Sequence, residues 1–239
     1  MRKYLGLIKV IIICMLIAGV GIYLYSLRIK EYRFSGNSLR YSHEELQELI
    51  FASELEKNPI YYWLFADKDK QIPFIAKYDV EIDFPDKAEI TVYGKDVIGY
   101  VYYKDFYFYF DSDGIVVESS PNLLEGVILI EGLEFNSMVL NRKLPVENKE
   151  IFNLILSLTK MIKNGEVIAN VVDKIEFDKE LNINLYIDNI QVKLGKDEFL
   201  DDKISKVEDV FPDIKGMTGT LNMEAYNDTN DYFWFRTAE

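Results

Sequence analysis

VIIICMLIAGVGIYLYSL, residues Val10 to Leu27, decides how the rest of the chain is arranged. It holds no charged residue, and Ser26 is its only clearly polar side chain. Coiled as an α-helix at about 1.5 Å per residue it covers roughly 27 Å, close to the ~30 Å hydrocarbon core of a bilayer. Leu5 to Ile8 extend the apolar run if Lys9 snorkels toward the headgroups. The basic flank Met1-Arg2-Lys3 suits a signal peptide as well as an anchor. The run is longer than a signal core, however, and its exit, Ile22-Tyr23-Leu24-Tyr25, is too bulky for a cleavage site. Cys14 lacks the small preceding residues that lipidation needs. An uncleaved transmembrane helix over 10–27 is expected. Arg2, Lys3 and Lys9 before it nearly balance Arg28, Lys30 and Arg33 after it. Orientation therefore rests on the bulk: residues 1–9 are expected in the cytoplasm and the long remainder outside.

That remainder is acidic. The whole chain carries a net charge of −13, but the first 30 residues hold five basic and no acidic side chains, which leaves the rest at −18. Such a domain repels nucleic acid and anionic lipid, so no nucleic-acid partner is expected and the bulk should stand off the membrane surface. With 17 Tyr and 15 Phe, many in alternating runs, it favours half-buried pleated sheet. Cys14 is the single cysteine and falls inside the span, so the exported part has no disulfide and no thiol nucleophile. His43 is the single histidine, which excludes multi-histidine metal sites and weakens any triad.

Outward from the span, Ile29 to Phe34 predicts a short strand ending at the turn Ser35-Gly36-Asn37. A helix follows, with Ser42 as cap, Glu45 closing a capping box, and Leu46, Ile50 and Phe51 as its apolar stripe. His43 sits in its first exposed turn as a solvated residue. After Asn58-Pro59, IYYWLFADK predicts a second short helix. Strands over Ile75–Phe84 and AEITVY flank the turn at Pro85, giving β-α-α-β-β. From Lys95 the pattern is mostly strand: VIGYVYY, FYFYF, IVVES and VILIE. A long helix over Asn148–Lys163 faces inward through Ile151, Leu154, Ile155 and Leu158. A meander of VVDKIEF, LNINLYI and IQVKL follows, then a short helix stopping at Pro212, a final strand TGTLNMEAY, and an unpatterned tail. The fold class is α+β, with the second part mostly antiparallel and bearing one long and one short helix.

Chemistry is hard to find. Asp111-Ser112-Asp113-Gly114 mimics the nucleophile motif of haloacid dehalogenases, with Asp201-Asp202 as the later metal pair. That reaction needs a parallel strand in βαβα order, which is missing around the motif. A hairpin turn with Gly114 at positive φ is expected instead. Other carboxylates, Glu208-Asp209 included, are solvating charge. No catalytic, cofactor or metal site is expected.

The order of elements and several motifs resemble the FtsQ/DivIB family of bacterial cell-division proteins. Phe34-Ser35-Gly36-Asn37 followed by Tyr41-Ser42-x-Glu44-Glu45-Leu46 is similar to the opening of the family's POTRA domain. Pro85-x-x-Ala88-x-Ile90-x-Val92 matches its last POTRA strand. Tyr107 to Asp111 with Asp113-Gly114-x-Val116, Val192-Lys193-Leu194-Gly195 with Lys203, and Leu221-Asn222-Met223 match its β-domain. Tyr93 to Gly99 departs from the family's Glu-Arg then Pro-Val-Ala at the β-domain start. The resemblance implies a cytoplasmic tail (1–9), a span (10–27), a POTRA domain (28–94), a β-domain (95–226) and a tail (227–239). It also implies a type II single-pass protein of the cell membrane at the division septum.

A β-domain ending in one more strand leaves an edge of unpaired N–H and C=O groups to which a partner strand can add. The resemblance implies that small membrane-anchored coiled-coil division proteins, of the FtsB/DivIC and FtsL type, engage this last strand. On this chain the strand is Thr218 to Tyr226, with Leu221 and Met223 within it. Tyr226, Phe233, Trp234 and Phe235 are either aromatic anchors for that partner or a cover over the protein's own core edge. Phe34 to Gly36 is structural first and a docking site second. The competing functions are a membrane-anchored hydrolase using carboxylates and a POTRA-type translocation or sensor protein of the cell surface.

Overall fold

A computed structural model describes residues 2–227 and 229–238 of the chain; the side chains of residues 2–5 and 7 lie outside the description, and with them the basic flank and the apolar extension through Leu5 and Leu7. The chain divides into two compact units, one ending at Lys95 and the other starting at Asp96.

The first unit begins with α1 (Arg2–Ser26), whose segment Ile8–Ser26, 19 residues, is long and apolar enough to cross a membrane. Its side chains are exposed along the whole run. Then come β1 (Glu31–Asn37), α2 (His43–Ile50), α3 (Pro59–Phe65), β2 (Ile75–Asp83) and β3 (Lys87–Gly94). Both helices start as their sequences dictate. The Ser42 side chain accepts from the N–H of Glu45, and the Glu45 carboxylate accepts from the N–H of Ser42. Asn58 caps α3 ahead of Pro59, whose missing N–H is one of the helix's orphan donors anyway. The sheet order is β1-β3-β2, with β1 parallel and β2 antiparallel to β3. Ala88, Ile90 and Val92 alternate inward against Leu46, Ile50, Phe51 and Tyr62. One expectation fails: Ser35-Gly36-Asn37 is not a turn, because β1 stays in register with β3 through Asn37↔Tyr93.

A half-buried ion pair braces this unit. Lys70 Nζ lies 2.8 Å from Glu56, which also accepts the N–H of Ser53 at 3.1 Å. Burial pushes the Glu56 carboxyl up, but Lys70 and Ser53 together hold it below its ordinary value. A carboxyl with a depressed folded pKa adds stability above the unfolded value, and that stability is lost as pH falls through the folded value. Glu56→Gln is therefore expected to be less stable than the parent chain at neutral pH, and the gap should narrow as pH falls below the unfolded glutamate value of about 4.3. Thermal unfolding across a pH series measures this.

The second unit holds β4 (Gly99–Tyr103), β5 (Phe106–Phe110), β6 (Val116–Ser120), β7 (Leu129–Glu131), α4 (Ile151–Asn164), β8 (Val172–Phe177), β9 (Ile183–Ile187), β10 (Ile190–Gly195), α5 (Leu200–Ile214), β11 (Gly219–Asn222) and β12 (Trp234–Thr237). They form one nine-stranded sheet in the order β12-β11-β10-β9-β8-β7-β4-β5-β6. The sheet is mixed. β10–β11, β7–β8 and β4–β7 are parallel. Parallel neighbours need a crossover connection, and α4 between β7 and β8 and α5 between β10 and β11 supply two of them.

The core joins Phe152, Ile155, Leu158 and Ile162 of α4 and Ile204, Val207 and Phe211 of α5 to Ile175, Leu185 and Val192 of the strands. Leu154, expected inward, is only half-buried. α5 is not short and does not stop at Pro212. It runs 15 residues, because the proline costs one hydrogen bond near the end while buried Phe211 and Ile214 hold the last turn against the core.

Candidate partner-binding edge

The last predicted strand is not the edge of the sheet. β11 lies between β10 and β12, so the strand expected to be open is capped by the chain's own carboxyl-terminal segment. That segment had no pattern in the sequence, yet Trp234 pairs with Asn222, Phe235 with Leu221, Arg236 with Thr220 and Thr237 with Gly219. The edge thus moves from 218–226 to 234–237. Asp228 and Glu239, in the segment expected to be a tail, lie outside the described residues.

The seven candidate residues separate accordingly. Leu221 and Met223 are fully buried in the core, so their side chains are closed to a partner. Thr218 is exposed, and its carbonyl accepts the N–H of Ala238 at 2.9 Å. Tyr226 and Phe233 are half-buried and meet edge to face at 6.2 Å. Lys206 of α5 sits over both rings, 5.9 Å from Tyr226 and 5.3 Å from Phe233, and pairs with Asp231 at 3.6 Å. These cation–π contacts hold the β11–β12 connection onto α5. Phe235 packs on the core. Trp234 lies on the other face of β12 with Arg236, whose guanidinium stacks 5.2 Å from the indole. Tyr226, Phe233 and Phe235 therefore cover their own core, while half-buried Trp234 faces outward.

Main-chain geometry shows what β12 offers. In an antiparallel pair, residues alternate between those that exchange hydrogen bonds with the neighbour and those that do not. Ala238 donates to Thr218, so Arg236 and Trp234 also face β11. Phe235 and Thr237 point their N–H and C=O groups away from it. Among the described residues β12 ends the sheet on that side. β6 ends it on the other, but the N–H of Val116 donates to Arg142 and its carbonyl accepts from Asn141. In the first unit, end strand β2 carries Lys77, Asp79, Glu81 and Asp83, and charges of that kind discourage strand addition. β12 carries one charge, Arg236.

The ground behind the edge is firm. β10 ends at Gly195, and the Lys203 ammonium, buried beneath α5, donates to the carbonyl of Leu194 at 2.6 Å. Burial pushes the Lys203 pKa down. On the solvent face Tyr186 donates to Glu176 at 2.6 Å and accepts from Gln191 at 3.1 Å, and burial with that carboxylate raises its pKa to about 12.

Asp111 is absorbed by its turn. Its carboxylate accepts the N–H groups of Asp113 at 3.0 Å and Ile115 at 2.8 Å in the β5–β6 hairpin, and Gly114 has φ +76°. Asp201 and Asp202 are exposed in the first turn of α5. His43 is exposed and stacks on Phe34 at 4.9 Å. Among the described residues no cluster of three His, Cys, Asp or Glu has the geometry to hold a metal ion.

No protein-family profile matches the chain. A curated relative does: the cell division protein DivIB of Clostridium acetobutylicum, 23% identical over 189 residues that cover 76% of this chain and 72% of that protein. This distant likeness over three quarters of the chain, added to the motifs in their order behind an apolar helix long enough to cross a membrane, supports the FtsQ/DivIB family as the one to which the sequence is related.

Proposed function

We propose that the protein is a non-enzymatic, membrane-anchored scaffold of bacterial cell division, which holds other anchored division proteins by adding a strand of theirs to β12. The observation that carries this is the end strand β12, with the main-chain groups of Phe235 and Thr237 turned outward and Trp234 beside them. The likeness to DivIB supports the cell-division setting. A partner strand laid against β12 gains main-chain hydrogen bonds, and side chains at alternate positions select it. Partners of the FtsB/DivIC and FtsL type, themselves anchored, fit this use. A span fixes both proteins in one bilayer and raises their effective concentration, so a small edge suffices for binding. The acidic bulk lies outside the cell and α1 crosses the membrane with its amino terminus in the cytoplasm. A fluorescent fusion at the amino terminus is expected to form midcell rings in dividing cells. Uniform membrane fluorescence through the division cycle would overturn the cell-division assignment.

A further inference from the structure

The helix α3, PIYYWLF, contains no charged residue. Its inward side is buried through Pro59 and Tyr62, yet Trp63, Leu64 and Phe65 are 59%, 52% and 70% exposed. Three large apolar side chains in a row facing water form an exposed apolar patch of the kind that marks a contact site. A helix apolar on all sides is one that something apolar covers.

The position of α3 identifies that cover. The Asn58 side-chain amide donates to the carbonyls of Leu24 at 2.8 Å, Leu27 at 3.0 Å and Tyr25 at 3.1 Å, the carbonyls that end the apolar run of α1. Its Oδ1 accepts the N–H groups of Ile60 and Tyr61, both at 3.0 Å, which start α3. One buried asparagine therefore closes the end of α1 and opens α3. Leu24 and Tyr25 line one small pocket together with Ile60, Tyr61 and Phe65. α3 is only about 10 Å long, short enough to lie beside the exit of α1. Arg28, which donates to the carbonyls of Tyr25 and Leu27, supplies a basic group at the same level.

We infer that α3 lies in the lipid headgroup layer, with Trp63, Leu64 and Phe65 inserted beside the exit of α1 as a second, shallow membrane contact. The occupant is the bilayer surface itself, since the hydrogen bonds from Asn58 tie α3 to the place where the apolar helix must leave the hydrocarbon. Tryptophan and bulky apolar side chains are favoured in that layer. The contact rests on α1 being inserted in a membrane. It changes the expectation that the acidic bulk stands clear of lipid: the acidic excess lies in the second unit, while residues 1–95 hold 13 basic and 13 acidic side chains. It also fixes the first unit at two points, so that unit cannot swing freely about the exit of α1.

The chain has two tryptophans, Trp63 and Trp234, so Trp234→Phe leaves Trp63 as the sole reporter. The full chain is placed in bilayer nanodiscs of phosphatidylcholine brominated either just below the headgroup or near the chain ends. A parallel chain with Trp63→Phe, Trp234→Phe and Ile17→Trp reports on the middle of α1. Trp63 emission is expected to fall about twofold with shallow bromine and less with deep bromine, as suits an interfacial ring. The Ile17→Trp reporter should show the opposite depth preference. Unquenched Trp63 beside a quenched Ile17→Trp reporter overturns the headgroup contact and leaves the anchor standing. That outcome would assign the apolar face to water or a protein. Trp63 quenched only by deep bromine overturns the interfacial placement. No quenching of either reporter overturns the anchor and the contact together.

Discussion

Gly132→Ala is expected to destabilise the second unit by about 2–5 kcal/mol, an effect large against the whole stability of an ordinary domain. Gly132 follows β7 with φ +84°, and a methyl group there would fall on the main-chain carbonyl of Phe177. The left-handed backbone costs an L-residue roughly 1–2 kcal/mol. Overpacking against a fixed group costs about 1–3 kcal/mol more. Phe177 is buried at the end of β8 and cannot retreat without breaking the β7–β8 ladder at Glu131↔Glu176. Gly126→Ala is the matching control. Its φ is +76°, but nothing lies within 4 Å of the added carbon, so only the backbone cost of about 1–2 kcal/mol is expected. Urea unfolding followed through Trp234 in a Trp63→Phe chain separates the two variants. Equal losses would mean that the close approach to Phe177 is not what the glycine serves.

Thr237→Pro is expected to weaken the partner at least about tenfold, or roughly 1.4 kcal/mol, while leaving folding within about 0.5 kcal/mol. Proline is tolerated in an edge strand where its missing N–H faces away from the sheet. Thr237 is exposed and pairs with Gly219 without exchanging hydrogen bonds. The variant thus removes a donor that only an added strand would use. Arg236→Pro, one residue earlier, strikes a position whose main chain faces β11. It should detach β12 and lower both stability and binding. If Thr237→Pro leaves partner affinity unchanged, the outer rim of β12 is not where the partner lies.

The sequence announced what short-range chemistry controls. Ser42 with Glu45, and Asn58 with Pro59, mark helix starts because the capping groups lie within three residues of what they cap. The hairpin at Asp111 was legible for the same reason, since its carboxylate bonds only N–H groups two and four residues on. β12 was not legible. Four residues, Trp234 to Thr237, are too few to display a period, and they become a strand only because β11 is there to pair with them. Leu221 and Met223 are legible as members of the last strand, but whether their side chains meet a partner or the core depends on α5 packing over the sheet. The extent of α5 was misjudged because Pro212 signals a stop locally, while the burial of Phe211 and Ile214 overrides it from outside the helix. The parallel pairing of β4 with β7, at Tyr100↔Leu129, follows from chain return over a distance no local pattern encodes.

Strand addition at β12 is tested most directly by hydrogen–deuterium exchange of the full chain in nanodiscs, with and without a co-inserted partner of the FtsB/DivIC type. The segment 233–238 should exchange markedly more slowly in the complex, and the slowing should sit at Phe235 and Thr237, whose N–H groups point outward. Unchanged exchange there, alongside new protection on any other strand or helix, would contradict the account.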